Sequence, residues 1–278
     1  MKKIGKEQVR KARQTLAKYK EGKAVLDKRI VSNEQWWKLR HWGEIGYDKG
    51  DTRPMPASAW LFNSLANKHA DAMDNIPEPA VLPREKSDEE VAKQLSLILP
   101  AILERCGYEK LYSDGWWYKL KNGSMCTAVV WDPDADGGMG DIAIRNADIL
   151  NLFWEPGIKD IEESANLFYV TLVDRERLNL MYPELLGEDT ESVAGGTGNV
   201  EKYKTEDKTD DSAKVEVVDW YYKKTINGRK QLCYCKFCGD RVIYSSEDDE
   251  SCADGFYKHS RYPVSYTHLR AHETKANL

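Results

Sequence analysis

Between Gly107 and Trp116 the hydrophobic rhythm of this chain changes period, and that change constrains the fold more than any single motif. Before it, apolar residues recur every three or four positions, as on helices; after it they tend to alternate, as on strands. The order predicts an α+β chain, with N-terminal helices followed by antiparallel β-sheet and hairpins.

The helical part has three predicted helices after a basic leader. Residues 1–30 hold eleven Lys or Arg against Glu7, Glu21 and Asp27, a net of +8, so the rest of the chain carries −13 of the total −5. Val9, Leu16 and Val25 look too sparse for a wide apolar stripe, which predicts a mostly exposed helical arm that adds little to folding. Ser32-Asn33 are good cap residues for a helix over 33–47 carrying Trp36, Trp37, Leu39, Trp42 and Ile45. A second helix is expected over 58–76, and a third after Ser87, with Glu90 completing a capping box and Gly107 ending it. Val91, Leu95, Ile98, Ile102 and Leu103 keep the helical period there.

Beyond the switch, Trp116–Leu120 and Met125–Trp131 read as strands around a Lys121-Asn122-Gly123-Ser124 hairpin turn. Asp141–Arg145, the run 150–154, Phe168–Val173, Lys214–Thr225, Lys230–Phe237 and Arg241–Tyr244 are further strand signals. Asp174 is placed to cap a short helix over 175–181. The expected organisation is a basic helical arm at 1–30, an α+β region at 31–183, an acidic Gly-containing linker at 184–212, and an antiparallel β region at 213–263.

Hydrophobic residues make up 41% of the chain and charged residues 31%, the profile of a soluble globular protein rather than a disordered one. No run of about eighteen apolar residues exists to span a membrane, and Met1–Lys6 has no apolar stretch after it to make a signal peptide. The six cysteines are therefore expected to be free thiols in a cytoplasm.

Four constellations invite a chemical reading. Asp132-Pro133-Asp134-Ala135-Asp136-Gly137 starts like a calcium-binding loop, but the position of the bidentate Glu is Ala143, which leaves an acidic turn. Cys235-Lys236-Phe237-Cys238 has zinc-knuckle spacing, with Cys252 and His259 as possible further ligands and Cys233 nearby. The second half lacks closely paired ligands, so free thiols on a strand are favoured. His41 and His69 have no catalytic motif around them. Trp36–Trp42 mixes aromatic and basic residues, as stacking platforms for single-stranded nucleic acid do, yet its tryptophans follow a helical period. With no P-loop, G-x-S-x-G, H-E-x-x-H or dinucleotide fingerprint, the expectation is a non-enzyme with no catalytic, cofactor-binding or metal residues.

The order of segments from about Asn33 to Pro263 resembles the portal proteins of tailed bacteriophages. The likeness runs through Trp60–Asp71, Ile76-Pro77-Glu78-Pro79, the helix after Ser87, Trp117-Tyr118, Val130–Pro133 and Gly138–Ile142. It continues in Phe153-Trp154-Glu155-Pro156, Glu176–Pro183, Val217–Tyr222 and Phe256–Pro263. The resemblance implies a wing-like α+β fold and a homo-oligomeric ring, usually a dodecamer, at one capsid vertex, with double-stranded DNA passing through its channel. It implies terminase, head-completion, scaffold and capsid proteins as partners, no membrane, and a virion location after assembly in the host cytoplasm. A zinc-ribbon-like nucleic-acid-binding protein is the alternative, resting on the basic arm and Cys235–Cys238.

Residues 264–278, from Val264-Ser265-Tyr266-Thr267-His268 onward, do not continue the portal pattern. They resemble translated sequencing-adapter DNA, so His268 and His272 are set aside as metal candidates. The stem and clip of the family would follow the wing and do not fit in this sequence, which is the expectation for a longer natural protein. Sequencing source DNA past the codon for Pro263 is expected to reveal a different, longer reading frame. A stop codon after Leu278 in that DNA overturns the expectation.

Overall fold

A computed structural model describes residues 4–40, 42, 52, 54–132, 135–183, 214–226, 229–248 and 264–268. The expected linker at 184–212, His41, Pro133, Asp134, Cys252, His259, the Phe256–Pro263 segment and His272 lie outside the described residues. The chain divides into two compact units. One joins the residues up to Val31 with Asp148–Tyr262; the other joins Ser32–Ala147 with the residues from Pro263 onward.

The first unit is built on a five-stranded antiparallel sheet in the order β3-β4-β5-β6-β7. Its strands are β3 (Leu152–Trp154), β4 (Asn166–Asp174), β5 (Lys214–Ile226), β6 (Arg229–Cys238) and β7 (Arg241–Ser245). The expected strands at 168–173, 214–225, 230–237 and 241–244 are all present, because alternation is a direct readout of a half-buried strand. Pairing joins β4 to β5 from Asn166↔Tyr222 to Asp174↔Lys214, so strands on both sides of the expected linker share one sheet. The expected boundary between a 31–183 region and a 213–263 region is therefore not where the described chain divides. Asp174 caps α5 (Arg175–Met181) as expected, its carboxylate accepting from the Glu176 amide at 3.0 Å.

One face of this sheet is closed by α1 (Lys6–Trp37). Strand alternation turns Val218, Trp220 and Tyr222 of β5, with Cys233, Cys235 and Phe237 of β6, to the same side. Against them lie Val9, Ala12, Leu16 and Tyr19, and Tyr19 meets Phe168 edge to face at 5.8 Å. The leader is thus a core helix, not an exposed arm. The buried stripe is narrow and mixed, and so hard to see in the sequence: positions 9, 12, 16, 19, 23, 27 and 30 keep a three-four spacing, but include an alanine, a tyrosine, a lysine and an aspartate. On the flank of the stripe Arg10 and Arg13 reach Asp240 in the turn between β6 and β7.

The polar pair in the stripe is locked in place. The Lys23 ammonium pairs with Asp27 at 3.1 Å, donates to the Ile149 carbonyl and lies 4.6 Å from the Phe153 ring centre. Immediately before Lys23, Gly22 lets Pro156 approach: a Cβ there would lie 2.4 Å from the proline Cγ. A glycine costs a helix about 1 kcal/mol relative to alanine, and here it permits the close contact.

The second unit has a smaller sheet, β2-β1-β8, of β1 (Ser124–Asp132), β2 (Asp141–Ala147) and β8 (Val264–His268). The segment set aside as adapter-like thus contributes a strand, pairing with β1 from Ser124↔His268 to Ala128↔Val264. Above β1 and β2 lies α4 (Tyr108–Asn122), with the Asn146 amide donating to the Leu111 carbonyl at 2.8 Å. Two further helices, α2 (Trp60–Met73) and α3 (Glu89–Arg105), pack on α4.

Three local expectations are corrected here. The hairpin at 121–124 is instead the end of α4: Gly123 takes φ +79 as a left-handed helix cap, and Trp116–Leu120 are helical. Asn-Gly suits either a type I′ turn or a helix C-terminus, and packing on the sheet selects the helix. No new helix begins at Asn33, since α1 runs unbroken to Trp37 and ends with Leu39 left-handed at φ +59. The Ser87 capping box does not form: Ser87 donates to the Asp88 side chain, and a 3-10 turn, Lys86–Asp88, precedes α3.

Removing the Asp27 carboxylate by Asp27→Ala should cost about 3–5 kcal/mol, because the Lys23 charge stays buried without it. Leu16→Ala should cost about 2–5 kcal/mol. Urea denaturation of purified variants measures both, and a loss under 1 kcal/mol in each would mean that α1 is not part of the core.

Candidate functional site

β6 concentrates three of the cysteines. Successive strand residues face opposite sides, so Cys233 and Cys235 point with Phe237 into the core beneath α1. Cys238, an odd number of residues away from Cys235, joins a different cluster with Leu178, Val215 and Val217. The two residues of the C-x-x-C therefore face opposite sides of the sheet, and in this strand they do not close on one ion. No group of three or more His, Cys, Asp or Glu suited to a metal occurs among the described residues.

The electrostatics around these thiols favour the neutral form. Burial, helped by the Glu247 charge, pushes the Cys233 thiol up to about 11. Burial together with Asp248, Glu247 and Asp219 pushes Cys235 up to about 12. Burial also raises Cys238. Beside them the Tyr222 hydroxyl donates to Glu247, which also holds the Lys224 ammonium, and burial raises the tyrosine as well. Neutral, enclosed thiols are poor nucleophiles and poor metal ligands.

The remaining sequence candidates are dispersed. The acidic turn holds Asp132 against Arg145 at 2.6 Å and Asp141 against Arg105 at 2.8 Å, so both carboxylates pair with guanidinium groups. Asp136 opens a 3-10 turn with φ +51, and Ala143 lies on β2 opposite Val130. His69 stacks on Trp117 with ring centres 4.1 Å apart, its Nε2 3.1 Å from the Ser113 hydroxyl. Trp37 bridges Phe62 and Trp117 at 4.8 and 5.1 Å. Below it Lys121 reaches Glu34 at 2.9 Å, and Asn33 donates to the Lys121 carbonyl at 3.0 Å. The Trp36–Trp42 stretch thus places Trp37 in helix packing rather than in an open stacking platform.

What stands out is surface rather than chemistry. No helix among the described residues is long and apolar enough to cross a membrane. Of the residues of α2 none is buried, and of α3 only Ala92 is. Val91, Leu95 and Ile98 keep a helical period, yet all three are exposed. Sequence periodicity identified the stripe but gave no means of telling a core face from an uncovered one.

The family model of the phage P22-like portal proteins matches residues 70–265, well over half of the chain. This chain belongs to the P22-like phage portal family. The match on this portal chain starts at Ala70, so the likeness drawn for Trp60–His69 lies ahead of it, and it ends two residues past Pro263. No curated protein matches the portal chain. The family is a structural component of the virion, which accords with the α+β order of helices and antiparallel sheets.

The thiols supply a test with a defined sign. A buried acid whose protonated form is favoured on folding stabilises the fold fully below its unfolded value, near 9.0, and that stability is lost as pH rises toward 11–12. Stability of the portal chain should therefore fall above pH 9, less steeply in a Cys233→Ala, Cys235→Ala double variant. Native protein at pH 8 should leave both thiols unmodified by iodoacetamide, with alkylation only after denaturation. Rapid native alkylation at Cys235, or stoichiometric zinc by elemental analysis, would contradict this environment.

Proposed function

We propose that this portal chain acts as a wing-forming subunit of a homo-oligomeric ring, a dodecamer in its complete form, at one vertex of the phage capsid. The ring is the conduit for double-stranded DNA during packaging and ejection, and the docking point for terminase, head-completion, scaffold and capsid proteins. It assembles in the host cytoplasm and resides in the virion. The observation that carries the reading is the family match over residues 70–265. Two features support it. The chain's cysteines on β6 are enclosed and its paired carboxylates are neutralised by arginines, so it offers contact surface rather than reactive groups. Nine Trp and fifteen Tyr provide the amphipathic side chains enriched where subunits meet.

The role is structural, not enzymatic. The test is to image capsids from the source phage by electron microscopy and to locate this chain by mass spectrometry of the isolated vertex complex. Recovery with the terminase and capsid proteins is the expected result. Steady ATP or DNA hydrolysis by the purified chain, abolished by one substitution in it, would overturn the structural assignment.

A further inference from the structure

Helix α3 carries two apolar stripes. Ala92, Ser96, Leu99 and Leu103 turn toward the body of the unit and are the less exposed set. Val91, Leu95 and Ile98 follow the same three-four spacing about 100° around the helix, and they are 55%, 41% and 51% exposed. Leu82 extends the surface: its neighbour Val81 is pinned to Ser96 through both backbone groups, yet Leu82 itself is 83% exposed. An amphipathic helix with its second stripe in water is an uncovered contact face.

The same unit has a second uncovered apolar element. Among the described residues β8 pairs with β1 from Ser124↔His268 to Ala128↔Val264, and β1 pairs with β2 on to Asp132↔Asp141. Toward the far end of the β1–β2 ribbon Val129, Trp131 and Met139 are exposed, Trp131 at 57%. Gly140 fits under the Trp131 ring, where a Cβ would lie 2.6 Å from the indole, so the ring is held in place while its outer side stays open.

We infer that the α3 face of one copy, formed by Leu82, Val91, Leu95 and Ile98, receives the β1–β2 ribbon of a second copy, with Trp131 as its anchor. The inference rests on the ring reading above. A ring requires two different faces on each subunit, because a head-to-tail contact does not pair a patch with itself. The area fits this occupant. The exposed parts of the four α3-side residues and of Val129, Trp131 and Met139 amount to roughly 800 Å² of apolar surface. Covering them would give a contact at the small end of the specific range, on the order of 800 Å², which a ring repeats around its circumference. An exposed tryptophan at the centre of such a contact is the usual kind of energetic anchor.

The 278-residue chain is tested as it stands. Sedimentation velocity over a concentration series reads self-association of the unsubstituted chain, Ile98→Glu, Leu95→Lys and Trp131→Ser. All three sites are exposed, so circular dichroism and the denaturation midpoint should stay unchanged, and the two α3 variants check each other if one misfolds. Each substitution should weaken association about thirty-fold. A photocrosslinking residue at position 98 should capture, in a covalent dimer, a peptide from the β1–β2 ribbon of the other copy. An unsubstituted chain that stays monomeric at all concentrations overturns the inference. So does association unaffected by Ile98→Glu, or crosslinks that land elsewhere, on DNA or on lipid. None of these removes the chain from the isolated vertex, so failure here is separable from failure of the portal reading.

Discussion

The first unit depends on one packing event, the laying of α1 along a single face of the five-stranded sheet. Without it, Phe153, Phe168, Val170, Trp220 and Phe237 would be a broad apolar face in water. The helix covers them with an economical stripe of Val9, Ala12, Leu16 and Tyr19. The Lys23–Asp27 pair in that stripe adds specificity rather than strength, since buried ion pairs roughly break even against apolar residues. Any other rotation of α1 would bury these charges without the Ile149 carbonyl and the Phe153 ring to receive the lysine. Gly22 against Pro156 fixes the distance of approach in the same way.

The two units are stabilised differently. The first has a core of aromatic and branched residues with enclosed thiols. The second leaves α2 without a buried residue and relies on aromatic contacts around Trp37 and Trp117 and on the Glu34–Lys121 pair. A body so thinly buried is at home in an assembly, where neighbouring surface completes what one chain leaves open.

The strands of the larger sheet were legible because alternation is local: each of β4 to β7 declares its buried face within a few residues. The Asp174 cap was legible for the same reason, as one side chain and the amide two residues on define it. The cysteines show the limit of spacing arguments. C-x-x-C on a loop gathers two thiolates, but on β6 the period of two sends Cys235 and Cys238 to opposite faces. The site's meaning thus turned on the local backbone, not on the residue types.

The sequence by itself determined the succession of helices followed by antiparallel strands, the strands of the larger sheet, the absence of a recognisable catalytic motif, and the likeness to portal proteins. Those properties are written in near-neighbour patterns and in the succession of segments. Tertiary structure alone decided that a charged leader is a core helix, that Asn122-Gly123 ends a helix instead of turning a hairpin, and that the α3 stripe stays uncovered. Each of these depends on what another part of the chain places alongside, and burial is a property of the pair of surfaces, which no local pattern contains.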